Sequence, residues 1–181
     1  MTELTIFGLG DPVERLEHLE EPARIAAALD RIGIRYEQWP APVALAADAD
    51  QAAILDAYAP EIDRLKSACG YRAADVIRLA RGAENAAALR TKFLEEHIHD
   101  EDEVRFFVEG RGAFYLRFDD RVYRVLCERG DLLGVPAGTR HWFDMGADPE
   151  FTAIRLFTNP EGWIARFTGD AVARSVPEID G

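Results

Sequence analysis

The second half of the chain, from about residue 91, is a series of short apolar segments separated at regular intervals by turn residues. The segments are rich in Val, Phe, Tyr, Leu and Ile; in order they are KFLEEHIH, EVRFFVEG, AFYLRF, RVYRVLC, DLLGVP, HWFDM and FTAIRLF. Between them lie DED, GRG, DD, ERGD and PAGTR, whose glycine, proline and acidic residues favour turns. Several short strands at this spacing are typical of a β-sandwich or barrel, which is therefore the predicted architecture.

Residues 1–90 show a different pattern, which favours helices. PARIAAALDRIG (22–33) has proline in its first turn and ends at glycine, and DADQAAILDAY (48–58) repeats apolar residues at helical spacing before a proline. Short apolar runs predict strands at 34–39 and 75–80 between the helices. The overall fold class predicted is mainly β with a helical first half (α+β), the helices packing outside the β core.

Composition excludes several classes of function. Apolar residues make up 48% and charged residues 30% of the 181 residues, which indicates a soluble globular chain of one domain. The net charge of −12 repels nucleic-acid phosphates and anionic lipid, so neither partner is expected. No apolar run approaches the ~20 residues of a membrane helix, and no secretory signal is visible. The two cysteines, Cys69 and Cys127, have no CxxC spacing and indicate reduced thiols in a cytoplasmic protein.

Two of the four histidines lie in HIHDEDE, residues 97–103. On a strand, His97 and His99 project from the same face, which gives half of a transition-metal site. Glu103 has the same parity, but six residues of straight strand span about 20 Å, so the chain must turn at 100–102 to bring it back. The three acids of that turn are expected to be solvated, whereas Glu103 begins the apolar run VRFFV and is expected to be buried.

The predicted fourth donor is His141, in GDLLGVPAGTRH, where a turn precedes the start of another strand. A lone histidine of this kind is more often packed or hydrogen-bonded than bound to metal. Together with HxHxxxE, however, it completes three imidazoles and one carboxylate from two distant segments. The remaining histidine, His18, lies in the polar stretch ERLEHLEEP, predicted as a helical or turn segment with the imidazole at the surface.

The spacing of these residues resembles the two motifs of the cupin superfamily. The first corresponds to His97-x-His99-x3-Glu103-x6-Gly110, and the second to the GDLLGVPAGTRH segment at 130–141. Two positions depart from the pattern: Thr91 stands where a glycine is frequent, and Met145 where an asparagine is frequent. KFLEEHIHDEDEVRFFVEGRGAFY, VPAGTRHWFDMG and RLFTNPEGW are similar to the acireductone dioxygenase family in particular.

The resemblance implies a cupin β-sandwich, or jelly-roll barrel, over 1–181 as a single domain. Within it, 1–90 would form a helix-rich covering segment, 91–160 the metal-binding β core, and 161–181 a C-terminal segment. It further implies a cytoplasmic monomer of methionine salvage that binds one Fe²⁺ or Ni²⁺ through His97, His99, Glu103 and His141. Its substrates would be O₂ and the enediol 1,2-dihydroxy-3-keto-5-methylthiopentene. The products would be formate and 2-keto-4-methylthiobutyrate with iron, or formate, carbon monoxide and 3-methylthiopropionate with nickel.

Arg105 is the predicted catalytic residue, because it lies two residues after Glu103 on the same strand face. There it would hold the substrate dianion and stabilise charge as oxygen reacts. The resemblance also implies an apolar wall for the methylthioethyl tail, formed by Phe93, Phe143 and Trp163. Phe107 shares parity with Arg105 but is expected to pack in the core.

Three alternatives remain open from the sequence. The chain could be another cupin enzyme, such as a sugar-phosphate isomerase or a different dioxygenase, although Arg105 alone provides little positive charge for a phosphate. It could be a non-catalytic metal-bound sensor of a small molecule. It could also be a structural cupin in which the metal joins two strands.

Overall fold

The computed structural model describes residues 1–159 and 164–180. In this part of the chain eleven strands form, β1 to β11 in chain order: Glu3–Gly8, Glu14–Leu19, Arg35–Gln38, Ala73–Leu79, His97–Ile98, Glu103–Phe118, Arg121–Glu128, Asp131–Val135, Arg140–Asp144, Phe151–Phe157 and Arg166–Phe167. Four α-helices, α1 to α4, span Pro22–Asp30, Gln51–Ala57, Ala59–Cys69 and Ala86–Phe93. A 3₁₀ turn covers Val172–Arg174. No helix of the described residues is long and apolar enough to cross a membrane.

The strands form two sheets that share β6. In the first sheet, sheet A, the strand order is β11-β5-β9-β6-β7-β1-β2. In the second, sheet B, β10 and β8 pair with opposite edges of β6, while β4 and β3 lie outside them. Within its sixteen residues, β6 pairs with sheet B between Glu103 and Gly110 and with sheet A between Arg111 and Phe118. The predicted sandwich architecture is confirmed.

The predicted turn at GRG is wrong, because these three residues lie inside β6. EVRFFVEG and AFYLRF were expected to be separate strands, and they form one. Gly110 adopts a left-handed backbone with φ of 65°, and a Cβ there would lie 1.8 Å from the carbonyl oxygen of Glu150. The glycine thus permits close approach to β10 where β6 passes between the sheets, instead of reversing the chain.

Alternation along the strands produces three apolar layers. The inner core between the sheets contains Phe107, Phe114, Phe143 and Phe151. A second cluster covers the outer face of sheet B and includes Ile54 of α2 and Ile62 of α3. A third covers the outer face of sheet A, where Trp142 stacks on Tyr115 with the ring centroids 5.1 Å apart. Trp142 therefore faces away from the histidine side of its strand, as its parity predicted.

The first half contains more β-structure than its sequence indicated. Strands at 34–39 and 75–80 are confirmed as β3 and β4, but β1 and β2 were missed. His18 is at the surface as expected, yet it lies on β2 and not on a helix or turn. β2 is exposed along five of its six residues, so its sequence carries no apolar alternation.

Two helices were also missed in this half. Pro60, expected only to end the helix predicted over 48–58, lies in the first turn of the following helix α3. This position suits proline, because the first turn of a helix leaves backbone N–H groups unpaired in any case. Gly70 ends α3 in a left-handed conformation with φ of 76°. The KFLEEHIH segment was expected to be a strand, but it begins with the last residues of α4.

Candidate metal centre

Three histidines converge at one end of the space between the sheets. The potential donor nitrogens of His97, His99 and His141 all lie within 4.8 Å of one another, and all three side chains are buried. His97 of β5 is the cross-strand partner of His141 of β9, which places the two imidazoles next to each other with their planes tilted by 59°. The ring centroids of this pair are 4.5 Å apart. The structure therefore brings together the histidines that were predicted to act as ligands.

The turn before β9 fixes this convergence. Gly138 has φ of 77°, and its backbone N–H donates to the carbonyl oxygen of His99 at 2.9 Å. Asp102 accepts a hydrogen bond from the backbone N–H of Ala137 at 2.9 Å. The PAGTR turn is thus tied to the loop that follows β5, so the segment carrying His99 and the segment carrying His141 hold each other in place.

Each imidazole is oriented by a backbone carbonyl. Nδ1 of His97 lies 2.7 Å from the carbonyl oxygen of Glu95, and Nδ1 of His141 lies 2.8 Å from that of Thr139. Nδ1 of His99 lies 3.2 Å from the carbonyl oxygen of Ile164. A carbonyl oxygen only accepts, so each Nδ1 carries the proton, and in a neutral ring Nε2 carries the lone pair. This is the outer-shell arrangement that presents histidine to a metal ion.

Glu103 approaches the histidines from the other sheet. Its Oε2 lies 2.9 Å from Nε2 of His141 and 3.3 Å from Nε2 of His99, and the residue is 1% exposed. The chain turns at 100–102 as expected. Glu103 was also expected to return on a strand next to the one that carries the histidines, but β6 does not pair with β5. It begins β6 in sheet B, opposite Val135, so the candidate donors come from both faces of the sandwich.

The three acids of the turn stay outside the donor group. Asp100 is exposed and forms an ion pair with Arg166. Glu101 accepts hydrogen bonds from the hydroxyl of Thr158 at 2.6 Å and the backbone N–H of Asn159 at 2.9 Å. Asp102 is exposed as well. The acids fasten the loop to its neighbours, a function that the sequence pattern did not indicate.

Arg105 is buried beside the donors. Its Nε lies 2.7 Å from Oε1 of Glu103, and the residue is 5% exposed. Despite this short distance, neither atom has a hydrogen bond of acceptable geometry within the described residues, and Nη1 of Arg105 has none either. The ion pair is therefore electrostatic, and it leaves buried polar atoms that a further ligand could satisfy.

Charges and burial set the protonation of the site. Burial alone would raise the pKa of Glu103, but the positive charge of the Arg105 guanidinium holds it well below its ordinary value. Burial, followed by the neighbouring His141, lowers the pKa of His97 to about 4. At neutral pH the carboxylate is ionised and the His97 imidazole is neutral, which are the forms in which both residues bind metal.

The donor set fits a divalent transition-metal ion. With Nδ1 of His141 protonated, its Nε2 lone pair faces the carboxylate oxygen of Glu103 at 2.9 Å, and two lone pairs repel unless a cation lies between them. A proton on Nε2 of His141 would remove the repulsion between that imidazole and Glu103, but not the repulsion between His99 and Glu103. One metal ion would satisfy the three imidazoles and the carboxylate together, and an ion that prefers six ligands would keep two positions for other molecules.

The predicted aromatic residues have different positions. Phe143 of β9 is 1% exposed and packs in the inner core. Its ring centroid lies 6.2 Å from the ring centroid of Phe93. Phe93 is the last residue of α4, so the strand parity from which it was predicted does not apply to it. Phe107 is 0% exposed and packs in the core as expected. Trp163 lies outside the described residues.

Two features of the site were missed by sequence reasoning. The ring of Phe114 contacts both Arg105 and His141, and the alternation of AFYLRF could have indicated its inward direction. Glu96, next to His97, is 2% exposed and accepts hydrogen bonds from Arg117 at 3.1 Å and from Thr168 at 2.7 Å. Its burial has no signal in the sequence, because the partners come from β6 and from the segment after β11.

A two-sheet sandwich with three histidines and a carboxylate at one end defines a metal-binding cupin. The family model described as "ARD/ARD' family" matches residues 8–165. The chain therefore belongs to the ARD/ARD' family, the acireductone dioxygenases.

Curated relatives agree over nearly the whole length. An acireductone dioxygenase of Parvibaculum lavamentivorans is 55% identical over 180 residues, covering 99% of this chain and 98% of that protein. Acireductone dioxygenases of Pseudomonas paraeruginosa and of a Synechococcus strain are 51% and 53% identical, and they cover 99% and 98% of this chain respectively. The matched segments make up 99% and 98% of those two proteins.

A solved structure shows the same fold. It is described as acireductone dioxygenase from Bacillus anthracis with cadmium ion in active center, and it superimposes with a TM-score of 0.78 at 31% identity. The match covers 92% of this chain and 98% of the other. A metal ion in the active centre of that relative supports a divalent metal at the histidine cluster of this one.

Proposed function

We propose that the chain cleaves the acireductone 1,2-dihydroxy-3-keto-5-methylthiopentene with O₂, as a dioxygenase of methionine salvage. The observation that carries this proposal is the meeting of three Nε2 lone pairs and the Glu103 carboxylate beside a buried arginine with unsatisfied N–H groups. The full-length similarity to acireductone dioxygenases supports the choice of substrate. The chain would act as a single-domain cytoplasmic monomer.

His97, His99, Glu103 and His141 would hold one Fe²⁺ or Ni²⁺ per chain. When bound, the ion would supply Lewis-acid stabilisation of the substrate enediolate. With iron we expect formate and 2-keto-4-methylthiobutyrate as products, and with nickel formate, carbon monoxide and 3-methylthiopropionate. Both routes place the two oxygen atoms of O₂ in the products without another reductant, because the enediol itself supplies the electrons.

Arg105 would bind the negative charge of the substrate. A divalent ion and Arg105 bring three positive charges, and Glu103 removes one, so a dianionic enediolate would make the site neutral. Nη1 of Arg105 is buried without a partner among the described residues and is therefore available to a substrate oxygen. A charge-assisted hydrogen bond in a buried site is stronger than the same bond in water, so this contact would contribute to both binding and turnover.

Phe93, Phe143 and Trp163 would form the apolar wall for the methylthioethyl tail. Support for this role comes from the 6.2 Å contact of Phe93 with Phe143 next to the site. An apolar wall would also exclude water from the enediolate, which protects the reaction with O₂ from competing protonation.

The test is an anaerobic reconstitution with Fe²⁺ or Ni²⁺, followed by admission of O₂ in the presence of the acireductone. We expect both loaded forms to consume substrate faster than the metal-free protein, with carbon monoxide appearing in the nickel form. Arg105→Met should retain the metal and lower turnover. The matched control is Arg121→Met, at an exposed arginine of β7. Equal rates with and without metal would overturn the proposed activity.

A further inference from the structure

The Arg105 guanidinium lies against two phenylalanine rings that come from the opposite sheet. Phe114 of β6 and Phe143 of β9 are directly opposed cross-strand partners, and their ring centroids are 5.0 Å apart. Cζ of Arg105 lies 5.0 Å from the centroid of Phe114 and 4.6 Å from that of Phe143. The side chain thus crosses the interior from sheet B and meets the inner face of sheet A.

These contacts occur where the guanidinium has few other constraints. Within the described part of the chain, the ion pair of Arg105 is with Glu103, and it lacks hydrogen-bond geometry. An arginine side chain loses up to about 2 kcal/mol of conformational entropy when it is ordered, so its orientation needs a source of stabilisation. A cation within about 6 Å of a ring centroid is attracted by the ring quadrupole, most strongly when both are desolvated.

We propose that Phe114 and Phe143, the aromatic pair, are positioning residues that hold Arg105 so that its free N–H groups face the metal centre. The inference rests on the anion-binding role given to Arg105 under the proposed function. Phe143 could then serve the tail wall with one part of its ring and Arg105 with another. Phe114, whose ring centroid also lies 6.4 Å from that of His141, would affect substrate binding through Arg105.

The aromatic pair differs from the other phenylalanines of the inner core. Phe107 and Phe151 pack in the same cluster, with their ring centroids 6.3 Å and 5.6 Å from that of Phe143. Neither ring has a cation–π contact within the described residues. Phe151 is 1% exposed, as is Phe114. The chain therefore offers a control substitution that creates a similar apolar cavity without touching Arg105.

The local backbone makes room for the pair. A Cβ at Gly112 would lie 2.3 Å from Cζ of Phe143 and 2.8 Å from its Cε2, so any larger residue would displace the ring that Arg105 contacts. Gly112 follows the bend of β6 by two residues and precedes Phe114 by two, on the same strand face. The bend, Gly112 and Phe114 thus follow one another along β6, and Phe143 packs against Gly112 from β9.

The proposal predicts how binding should depend on the substrate. A residue that acts through Arg105 affects recognition of the enediolate charge, which all acireductones share. A residue that contacts the tail affects discrimination between tails. Phe114→Leu should therefore weaken binding of the methylthioethyl substrate and of a short alkyl-tailed enediol by the same factor.

The experiment is anaerobic calorimetry of the Ni²⁺-loaded protein with these two enediols, so that binding is measured without turnover. Phe114→Leu should raise Kd about tenfold for both, the factor expected from loss of a desolvated cation–π contact. Phe151→Leu should lower thermal stability about as much as Phe114→Leu does. It should leave Kd within about twofold of the value for the unsubstituted protein. Nickel content, measured on each sample, should be equal to that of the unsubstituted protein.

A second series separates the ring quadrupole from packing, and it applies even if Phe114→Leu folds poorly. Successive fluorination of the Phe114 ring preserves its shape but weakens the quadrupole, so Kd should rise with each added fluorine. If Arg105→Met raises Kd while Phe114→Leu and the fluorinated series match the Phe151 control, the positioning role is overturned and the role of Arg105 stands. If Arg105→Met leaves Kd unchanged, both fail.

Discussion

His141 and Glu103 lie in different sheets, yet Nε2 of the histidine is 2.9 Å from Oε2 of the carboxylate. Sheet A carries His97 and His141 as cross-strand partners, while sheet B supplies the acid from the first residue of β6. A metal ion at this point would join the two layers of the sandwich. Metal binding and the stability of the sandwich should therefore be linked.

The imidazoles should account for metal retention. His97→Ala removes one of three converging nitrogens and should weaken Ni²⁺ binding by more than about 100-fold, since loss of an outer-shell partner alone reaches 10–100-fold. His18→Ala is the control, because this histidine is exposed on β2. Metal content after dialysis against a weak chelator measures the difference. Equal nickel in both variants would contradict the assignment.

Glu103 should stabilise the metal-free protein through Arg105. Glu103→Gln preserves the shape of the side chain but leaves a buried guanidinium without its counter-charge, and the free energy of unfolding should fall by about 3 kcal/mol or more. Denaturant unfolding measures it. The double variant Glu103→Gln/Arg105→Met should be less destabilised than the sum of the two single variants. Additive effects would show that the 2.7 Å pair is not coupled.

Gly112 should be sensitive to the smallest enlargement. Its backbone is not in the left-handed region, so alanine is allowed, but the new Cβ would overlap the ring of Phe143. Gly112→Ala should lower the free energy of unfolding by about 1–3 kcal/mol, as expected for overpacking in a core. Gly112→Ala combined with Phe143→Leu should recover part of that loss. No recovery would mean that the ring is not the source of the strain.

Tyr36 should give the protein a stability that declines in alkali. Burial, followed by the negative charge of Asp131, raises the pKa of this phenol above its ordinary value, and the hydroxyl donates to Asp131 at 2.9 Å. In the unfolded chain the phenol loses its proton at about pH 10, whereas in the folded protein it is still protonated at that pH. The contribution is complete below pH 10 and is lost as the pH rises above it.

Denaturant unfolding at increasing pH measures this dependence, with absorbance of the phenolate as a second readout. Tyr36→Phe should reduce the slope of stability against pH above pH 10. A phenolate signal from Tyr36 in the folded protein near pH 10 would be the contrary result.

The candidate site was more predictable from the sequence than the fold that surrounds it. His97, His99, Glu103 and Arg105 lie on short segments where alternate residues share a direction, so parity placed all four toward one interior. His141 needed only a turn with the right residues before a strand. Parity could not predict the strand pairing. It suggested a hairpin for Glu103, whereas β9 lies between β5 and β6, and the residues of β6 that include Glu103 belong to the other sheet.

The parts of the fold that were missed lack an apolar pattern of their own. β2 is recognisable by its ladder with β1 and not by its residues, five of which are exposed. β6 appeared as two strands because GRG has turn composition, although its backbone continues from one sheet into the other. Such features depend on long-range pairing, and local composition carries little information about it.

The continuity of β6 limits how the interior can be reached. Two layers that share a strand are fixed to each other along that strand, so they have no freedom to swing apart in the manner of a hinged shell. A molecule the size of the proposed enediol substrate would then enter at the ends of the strands, where the loop at 99–102 and the turn at 136–139 meet. Access would thus be governed by small displacements of these two connections, at a scale that hydrogen exchange of their backbone amides can report.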